Sequence, residues 1–211
     1  QIFRLNTINT RDGELLEKGD YALAGTNIAL KDFPEVESIA TIDQFDTYFS
    51  FRNIMGEGTK TKVIQTTPSF LDIFDVEITS GSPNNLVEGT PNIVISESLV
   101  KRFFNGSNPV GEIIRDLPSY SNEPNEYLIT GIFKDIPENT HLRGQVIYLR
   151  KPIKEVLNKQ QFGFVQNYYV SLKYDVDKTK FEAKFNNWYS NYTEAEHPDK
   201  FELQPLQDIY L

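Results

Sequence analysis

The chain has 211 residues, a formal net charge of −9, 13% aromatic residues, one methionine and no cysteine. That length allows one large domain or two small ones with a real core, and the composition is that of a folded globular protein rather than a disordered one. The acidic balance argues against nucleic acid, whose phosphates need clustered Lys and Arg, and against a basic patch on an anionic membrane; the missing cysteines exclude disulfides, thiolate catalysis and cysteine-based zinc sites.

Ile2 to Leu5, with Thr7 and Ile8 beyond, reads as a first strand, and Arg11-Asp12-Gly13 as a turn. Tyr21 to Phe33 is predicted as a helix, with Tyr21, Ala24 and Ile28 on one stripe and Leu23 and Leu30 beside it. Pro34 stops it, because the residue before a proline avoids the helical region. Val36 to Phe45 is predicted as the next strand. Residues 1 to 47 thus form strand-helix-strand, a crossover unit with a right-handed connection.

From Thr47 the pattern changes. Tyr48 to Arg52 and Thr61 to Gln65 are β-like runs around Met55-Gly56-Glu57-Gly58, which predicts a hairpin with a longer loop. Thr67-Pro68 opens a short helix, with Phe70, Leu71 and Phe74 on its apolar face. After the loop Gly81 to Asn85 come a strand (Ile93 to Ile95), a helix (Glu97 to Phe104) and a strand (Val110 to Ile114). A polar insertion leads to the strand Tyr127 to Phe133, which ends in Asp-Ile-Pro-Glu-Asn. Val146 to Leu149 is a short strand, Pro152 to Leu157 a brief helix and Asn158 to Gln161 a polar link.

Asn167 to Tyr174 carries the strongest strand pattern, with Tyr168, Val170, Leu172 and Tyr174 facing one way. Asp175 or Asp177 can cap the following helix, where Phe181, Phe185, Trp188 and Tyr192 form an amphipathic stripe. Phe201 to Leu206 is the last strand. Two strand-helix-strand units can make one four-stranded sheet with both helices on one face, a ferredoxin-like split βαβ arrangement. The expected fold class is therefore α+β. A discontinuous subdomain (1–47 with 163–211) carries an inserted mixed α/β subdomain (48–162).

Candidate chemistry is sparse. His141 and His197 lack HExxH spacing, and the acidic cluster around His197 reads as a solvated loop rather than a metal site. Asp135 and Glu138 flank Pro137 and could do acid–base work, but Pro-Glu-Asn more simply ends a strand in a turn. Ser96-Glu97-Ser98 lies between a strand and a helix without G-x-S-x-G or a partner histidine, so Ser96 reads as an N-cap. Gly56-Glu57-Gly58 lacks the companions of a phosphate loop. Asn105-Gly106-Ser107 and Asn191-Tyr192-Thr193 match the glycosylation tripeptide but carry no functional weight. The aromatic stripe reads as core before it reads as a carbohydrate platform. Phe162, Gly163 and Phe164 are expected near the junction of the subdomains, as hinge packing or an exposed aromatic contact. No catalytic, cofactor-binding or metal residue is assigned.

Three blocks closely resemble the MacB-like periplasmic core domain of MacB/FtsX-type ABC transporter permeases. They are Asn92-Ile-Val-Ile-Ser-Glu-Ser-Leu-Val-Lys-Arg-Phe-Phe104, Asn108-Pro-Val-Gly111, and Leu128-Ile-Thr-Gly-Ile-Phe-Lys-Asp-Ile-Pro-Glu-Asn-Thr-His141. Phe33-Pro-Glu-Val36, Pro68-Ser-Phe-Leu-Asp-Ile-Phe74 and Leu203-Gln-Pro-Leu-Gln-Asp-Ile-Tyr-Leu211 match in the same order. The resemblance implies a ferredoxin-like porter subdomain, an inserted sabre subdomain and a place outside the cytoplasmic membrane between two membrane helices of a permease. It implies partnership with a cytoplasmic ABC ATPase, dimers, a periplasmic adaptor or lipoprotein partner, and no catalytic residues.

No window holds the roughly 18 apolar residues of a membrane helix, and the chain opens on Gln1 without a signal peptide. It therefore reads as a processed product or a fragment, with any anchor outside it. The expected function is to couple ATP hydrolysis, through flanking membrane helices, to export of a periplasmic substrate. The alternative is a module that captures a peptide, lipoprotein, lipid or glycan outside the membrane; an extracytoplasmic hydrolase is disfavoured by the missing nucleophile and base.

Overall fold

The computed structural model describes residues 1–11, 14–19, 22–23, 30–51, 58–117, 123–150, 165–193 and 200–210. Its strands are β1 (Ile2–Arg11), β2 (Glu14–Gly19), β3 (Ala22–Leu23), β4 (Val36–Ser50), β5 (Thr59–Thr66), β6 (Ile78–Gly81), β7 (Asn92–Ser96), β8 (Ile113–Asp116), β9 (Glu126–Phe133), β10 (Val146–Leu149), β11 (Val165–Leu172) and β12 (Lys200–Pro205). Its helices are α1 (Ser69–Ile73), α2 (Glu97–Phe103) and α3 (Lys178–Thr193), with 3-10 turns at Pro83–Asn85 and Leu206–Tyr210. The chain divides into two compact units, Gln1–Ile42 with Ile153–Leu211, and Asp43–Pro152. β4 gives its first half to the one and its second half to the other.

In the first unit β1 lies between two long-range partners. Phe3, Leu5 and Thr7 stand opposite Pro205, Leu203 and Phe201 of β12, and Phe3 and Leu5 also stand opposite Val170 and Tyr168 of β11. β11 pairs on its other side with β4, Val170 opposite Ile39. The order β12-β1-β11-β4, antiparallel throughout, is the ferredoxin-like arrangement. β1 and β4 run parallel yet do not touch, because β11 separates them.

Period-2 alternation places Phe3, Leu5, Ile39, Tyr168, Val170, Leu172, Phe201 and Leu203 in one core. α3 closes that face with Phe181, Phe185 and Tyr189, and Phe33 meets Phe181, Phe185 and Trp188 edge-on at centroid distances of 5.8, 5.4 and 5.9 Å. Such rings each contribute about 1.5–3 kcal/mol by burial alone. α3 also guards the edge strand. The Phe201 and Leu203 N–H groups donate to Asn186 Oδ1 (2.7 Å) and Glu182 Oε1 (2.6 Å), and Asn186 Nδ2 donates to Phe201 O (2.8 Å). Those amides are thereby withheld from another chain's strand.

Several expectations change here. The turn at residues 11–13 is followed by a strand, β2, that returns along β1 with Arg11 opposite Glu14. Ala22 and Leu23, placed in the predicted helix, form a strand beside Val165 and Gln166. Helical structure is described only at Leu30 and Lys31, while residues 24–29 lie outside the described ones. The strand predicted to end at Phe45 continues to Ser50. β11 ends at Leu172, and Tyr174 is 92% exposed rather than facing the core. Tyr169 and Ser171 are buried as well, so the alternation in β11 records two covered faces. The predicted helix at Pro152–Leu157 and link at Asn158–Gln161 lie outside the described residues.

In the second unit, strand pairing closes on itself. β4 neighbours β5, β5 runs parallel to β10, β10 antiparallel to β7, β7 parallel to β9, β9 antiparallel to β8, and β8 returns to β4 with Phe49 opposite Asp116. This six-stranded ring encloses Phe49, Val63, Ile93, Ile95, Ile114, Ile129 and Val146, with Leu99, Val100 and Phe104 of the α2 region packed into the same cluster. Closure removes free edges from these strands. The strand predicted at Val110–Ile114 shifts to Ile113–Asp116, because Asn108-Pro109-Val110-Gly111 forms a turn closed by the Glu112 N–H on Pro109 O. Outside the ring β6 lies against β9. There Gly81 has φ +81°, and a Cβ would stand 2.3 Å from Thr130 O, so only glycine fits.

Phe185→Ala should lower unfolding stability by about 3–5 kcal/mol in urea titrations. A second outcome concerns pH. Lys184 Nζ donates to Glu35 Oε1 at 2.5 Å, and this hydrogen bond holds the Glu35 carboxyl below its ordinary pKa. A lowered folded pKa stabilises the fold above the unfolded pKa of about 4.3, and the effect is lost as pH falls through the folded value. The urea midpoint of Glu35→Gln should therefore lie below that of the unsubstituted chain at pH 7, and the gap should narrow as the pH falls through the lowered pKa of Glu35.

Candidate functional site

Of the residues that the sequence nominates for chemistry, Ser96, Ser98 and Asp135 converge on a helix start. Ser96 ends β7 and is 1% exposed. Its Oγ accepts the Leu99 N–H at 3.4 Å and lies 2.9 Å from Ser98 Oγ. Asp135, which follows β9, accepts the Ser98 N–H on Oδ1 at 3.1 Å. Parallel pairing brings Ser96 opposite Phe133, which carries Asp135 to the first turn of α2. A carboxylate and a hydroxyl here satisfy orphan amides and oppose the helix dipole. Glu138 is exposed in the turn closed by the Thr140 N–H on Pro137 O. His141 stands ring-to-ring with Phe74 at 6.2 Å, on another element. Serine, carboxylate and histidine therefore do not form a nucleophile–base relay.

The other nominated residues are likewise structural where they are described. Asn105 and Gly106 take left-handed angles, φ +54° and +78°, in the turn after α2. Asn191 is exposed on α3. Phe181 and Phe185 are buried core residues, Trp188 is partly buried, and Tyr189 joins them. Gly58 faces the Leu117 and Tyr48 side chains. Gly56, Glu57, Phe162, Gly163, Phe164, the cluster around His197 and the side chain of Tyr192 lie outside the described residues. Among the described residues, no group of three or more His, Asp or Glu could hold a metal.

Perturbed ionisable groups also read as structure. Burial is the largest influence on Asp43 and pushes its carboxyl up, although Arg150 Nη2 donates to Asp43 Oδ2. Arg150 also reaches Gln65 Oε1 at 3.3 Å, and its own N–H donates to Thr66 O at 2.9 Å. These contacts tie the first residue of the second unit to its last strand. Burial likewise raises the Tyr127 and Tyr148 phenols, so both stay protonated at neutral pH. Tyr127 Oη donates to Asp116 Oδ2 at 3.2 Å.

The second unit also carries two exposed features. Ile113 and Leu128 are cross-strand partners, 52% and 36% exposed, and Val110 precedes them. The other feature is a cleft of about 630 Å³ lined by Pro68, Leu71, Val76, Ile78, Leu86 and Leu149, with Asp72, Asp75, Pro83 and Asn84 completing it. Its shape follows from how α1 ends. Val76 N–H donates to Leu71 O at 2.9 Å and Asp75 N–H to Asp72 O at 3.4 Å, the paired bonds of a Schellman closure. That closure brings Leu71 and Val76 together on the wall. It puts Asp75 at φ +49°, a position usually held by glycine. The sequence offered one signal, a short helix followed by Asp-Val, but nothing in it locates Leu86 and Leu149 on the same wall.

Comparison with known proteins agrees with this architecture. The family model described as the MacB-like periplasmic core domain matches residues 3–187. A domain assigned to a permease protein of Porphyromonas gingivalis is similar over 97% of this chain and 89% of its own, with TM-score 0.75 and 20% identity. The periplasmic region of MacB from Actinobacillus actinomycetemcomitans is similar over 99% and 90%, with TM-score 0.64 and 14% identity. The extracellular domain of the noncanonic ABC-type transporter YknZ from Gram-positive bacteria is similar over 97% and 100%, with TM-score 0.65 and 14% identity. At these identities each structural likeness establishes the fold. Comparison with curated protein sequences gave no match.

If Ser96 and Asp135 are caps, Ser96→Ala and Asp135→Ala should each cost about 1 kcal/mol of stability, read by urea unfolding of the isolated chain. Asp135→Asn, which keeps an acceptor oxygen for the Ser98 N–H, should cost markedly less than Asp135→Ala; an equal loss would contradict the capping role.

Proposed function

The chain belongs to the MacB-like periplasmic core domain family, and from that premise we propose that it couples a membrane-embedded ABC permease to work outside the membrane. The family makes it the periplasmic domain of an ABC-type permease, which implies an ATPase partner. Among the described residues no helix is long and apolar enough to cross a membrane; in this reading the family context supplies the membrane link through segments flanking the domain.

One observation carries the coupling reading. β1 and β12, the first and last strands, are antiparallel neighbours with Phe3 opposite Pro205. Segments leading into β1 and out of β12 therefore meet the sheet at one end, side by side. Beside them the backbone nitrogen of Gln1 donates to Leu172 O at 3.2 Å. A displacement of either flanking helix enters a hydrogen-bonded sheet backed by α3 and moves it as a rigid body. The first unit, near the predicted span 1–47 with 163–211, is the porter-like body. The second, near 48–162, is the sabre-like insertion and presents the contact surface. The domain performs no catalysis of its own, works in a dimer of permeases and meets an adaptor or lipoprotein on its outer side.

A second reading, a module that captures substrate or partner, is favoured by the cleft against α1.

The coupling reading is tested in the full permease, reconstituted with its ATPase in proteoliposomes. Replacing the domain by a short flexible linker should leave basal ATP hydrolysis within about threefold and reduce export to background. Export that survives the replacement would sink the proposal.

A further inference from the structure

Tyr174 stands apart from the rest of the first unit. It is 92% exposed, and among the described residues every other exposed large apolar side chain, from Phe45 to Leu128, belongs to the second unit. A single exposed aromatic residue has no meaning by itself. The register of the sheet gives this one a partner.

Tyr168, Val170 and Leu172 of β11 alternate into the core, and Tyr174 falls next in that series. Gln1 and Leu172 form a hydrogen-bonded pair: the backbone nitrogen of Gln1 donates to Leu172 O at 3.2 Å, and the Leu172 N–H donates to Gln1 O at 2.9 Å. In an antiparallel ladder such pairs recur at every second residue, with Cα atoms about 5.5 Å apart. The next pair therefore joins Tyr174 to the residue two positions ahead of Gln1. Tyr174 O, which the N–H of that residue would meet, accepts instead from Gln1 Nε2 at 3.0 Å. A side-chain amide stands where the backbone amide of a longer β1 would stand. The turn that carries the ring is closed by the Val176 N–H on Lys173 O at 3.2 Å.

We propose that the segment leading into β1 in the full permease continues the strand past Gln1 and covers Tyr174, making the Tyr174 ring the contact through which motion of that segment reaches the sheet. The segment that follows β12 is a more distant occupant, because β1 lies between β12 and β11. Lys173 and Asp175 flank the ring with opposite charges, so the turn offers no basic cluster to a lipid headgroup. This assignment rests on the coupling reading and gives it a point of contact.

The test uses the full permease with its ATPase in proteoliposomes, any native cysteines replaced. Tyr174→Cys paired with a cysteine two positions ahead of Gln1 should form a disulfide on mild oxidation, since directly opposite residues lie within disulfide reach. Tyr174→Cys paired with a cysteine in the segment after Leu211 should form none. Tyr174→Ala should lower export about threefold while ATP hydrolysis continues, the size of a lost cross-strand aromatic pair, and Tyr174→Phe should retain export. In the isolated chain Tyr174→Ala should leave the urea midpoint in place, because the ring is 92% exposed there; that separates a contact with the leading segment from a role in folding. Absence of the first disulfide, a disulfide only with the segment after Leu211, or full export by Tyr174→Ala overturns the assignment. If replacing the whole domain abolishes export and Tyr174→Ala does not lower it, this contact is removed and the coupling reading stands. Export that survives whole-domain replacement removes both.

Discussion

The double pairing of β1 is the constraint on which the first unit depends. Residues at the very start of the chain hydrogen-bond to β11 and β12, more than 160 positions away in sequence. Phe3 and Leu5 enter the core only once both partners are in place. Loop closure over such distances is entropically costly before any contact compensates it. The cost is met late and collectively, by the aromatic packing of α3 on the sheet and by side-chain caps on the edge of β12. A sheet assembled this way has no independent half.

Insertion of a second unit places its own demand on the sheet. Within β4 the chain passes from the first unit to the second after Ile42, and Ile42 stands opposite Asn167 of β11. The departing and returning strands are therefore neighbours, so a long insertion disturbs no pairing. Inside the second unit, the Asp43–Arg150 contact and the Arg150 backbone bond to Thr66 close the base of the ring. Removing one partner of so desolvated a pair would leave the other uncompensated. Burial, not catalysis, explains why Asp43 titrates high. The same holds for Tyr127 and Tyr148, whose phenols sit among aromatic neighbours in the ring.

Polar residues grouped in the sequence as possible chemistry serve the backbone instead. Ser96 and Asp135 lie 39 positions apart and meet only because β7 and β9 run parallel. Together they serve two orphan amides of α2.

Local rules in the sequence determined much of the outline. The strands around Ile93–Ile95, Tyr127–Phe133 and Val146–Leu149 follow from short apolar runs, the N-cap at Ser96 from its place before a helix, and the core role of Phe181 and Phe185 from helical spacing. The two strand-helix-strand units at the ends of the chain carried the ferredoxin-like expectation, and the family motifs between Asn92 and His141 the permease context. Tertiary structure decided what depends on distant partners. β2 exists because β1 offers it an edge, although Glu14–Gly19 has no alternation of its own. Tyr174 extends the pattern of β11 yet lies in solvent, because pairing with β1 and β4 ends at Leu172. Ring closure of the second unit and the cleft against α1 join residues more than 80 positions apart, such as Val63 and Val146 in the ring and Pro68 and Leu149 in the cleft. Periodicity records which face of an element is covered; it does not record which element covers it.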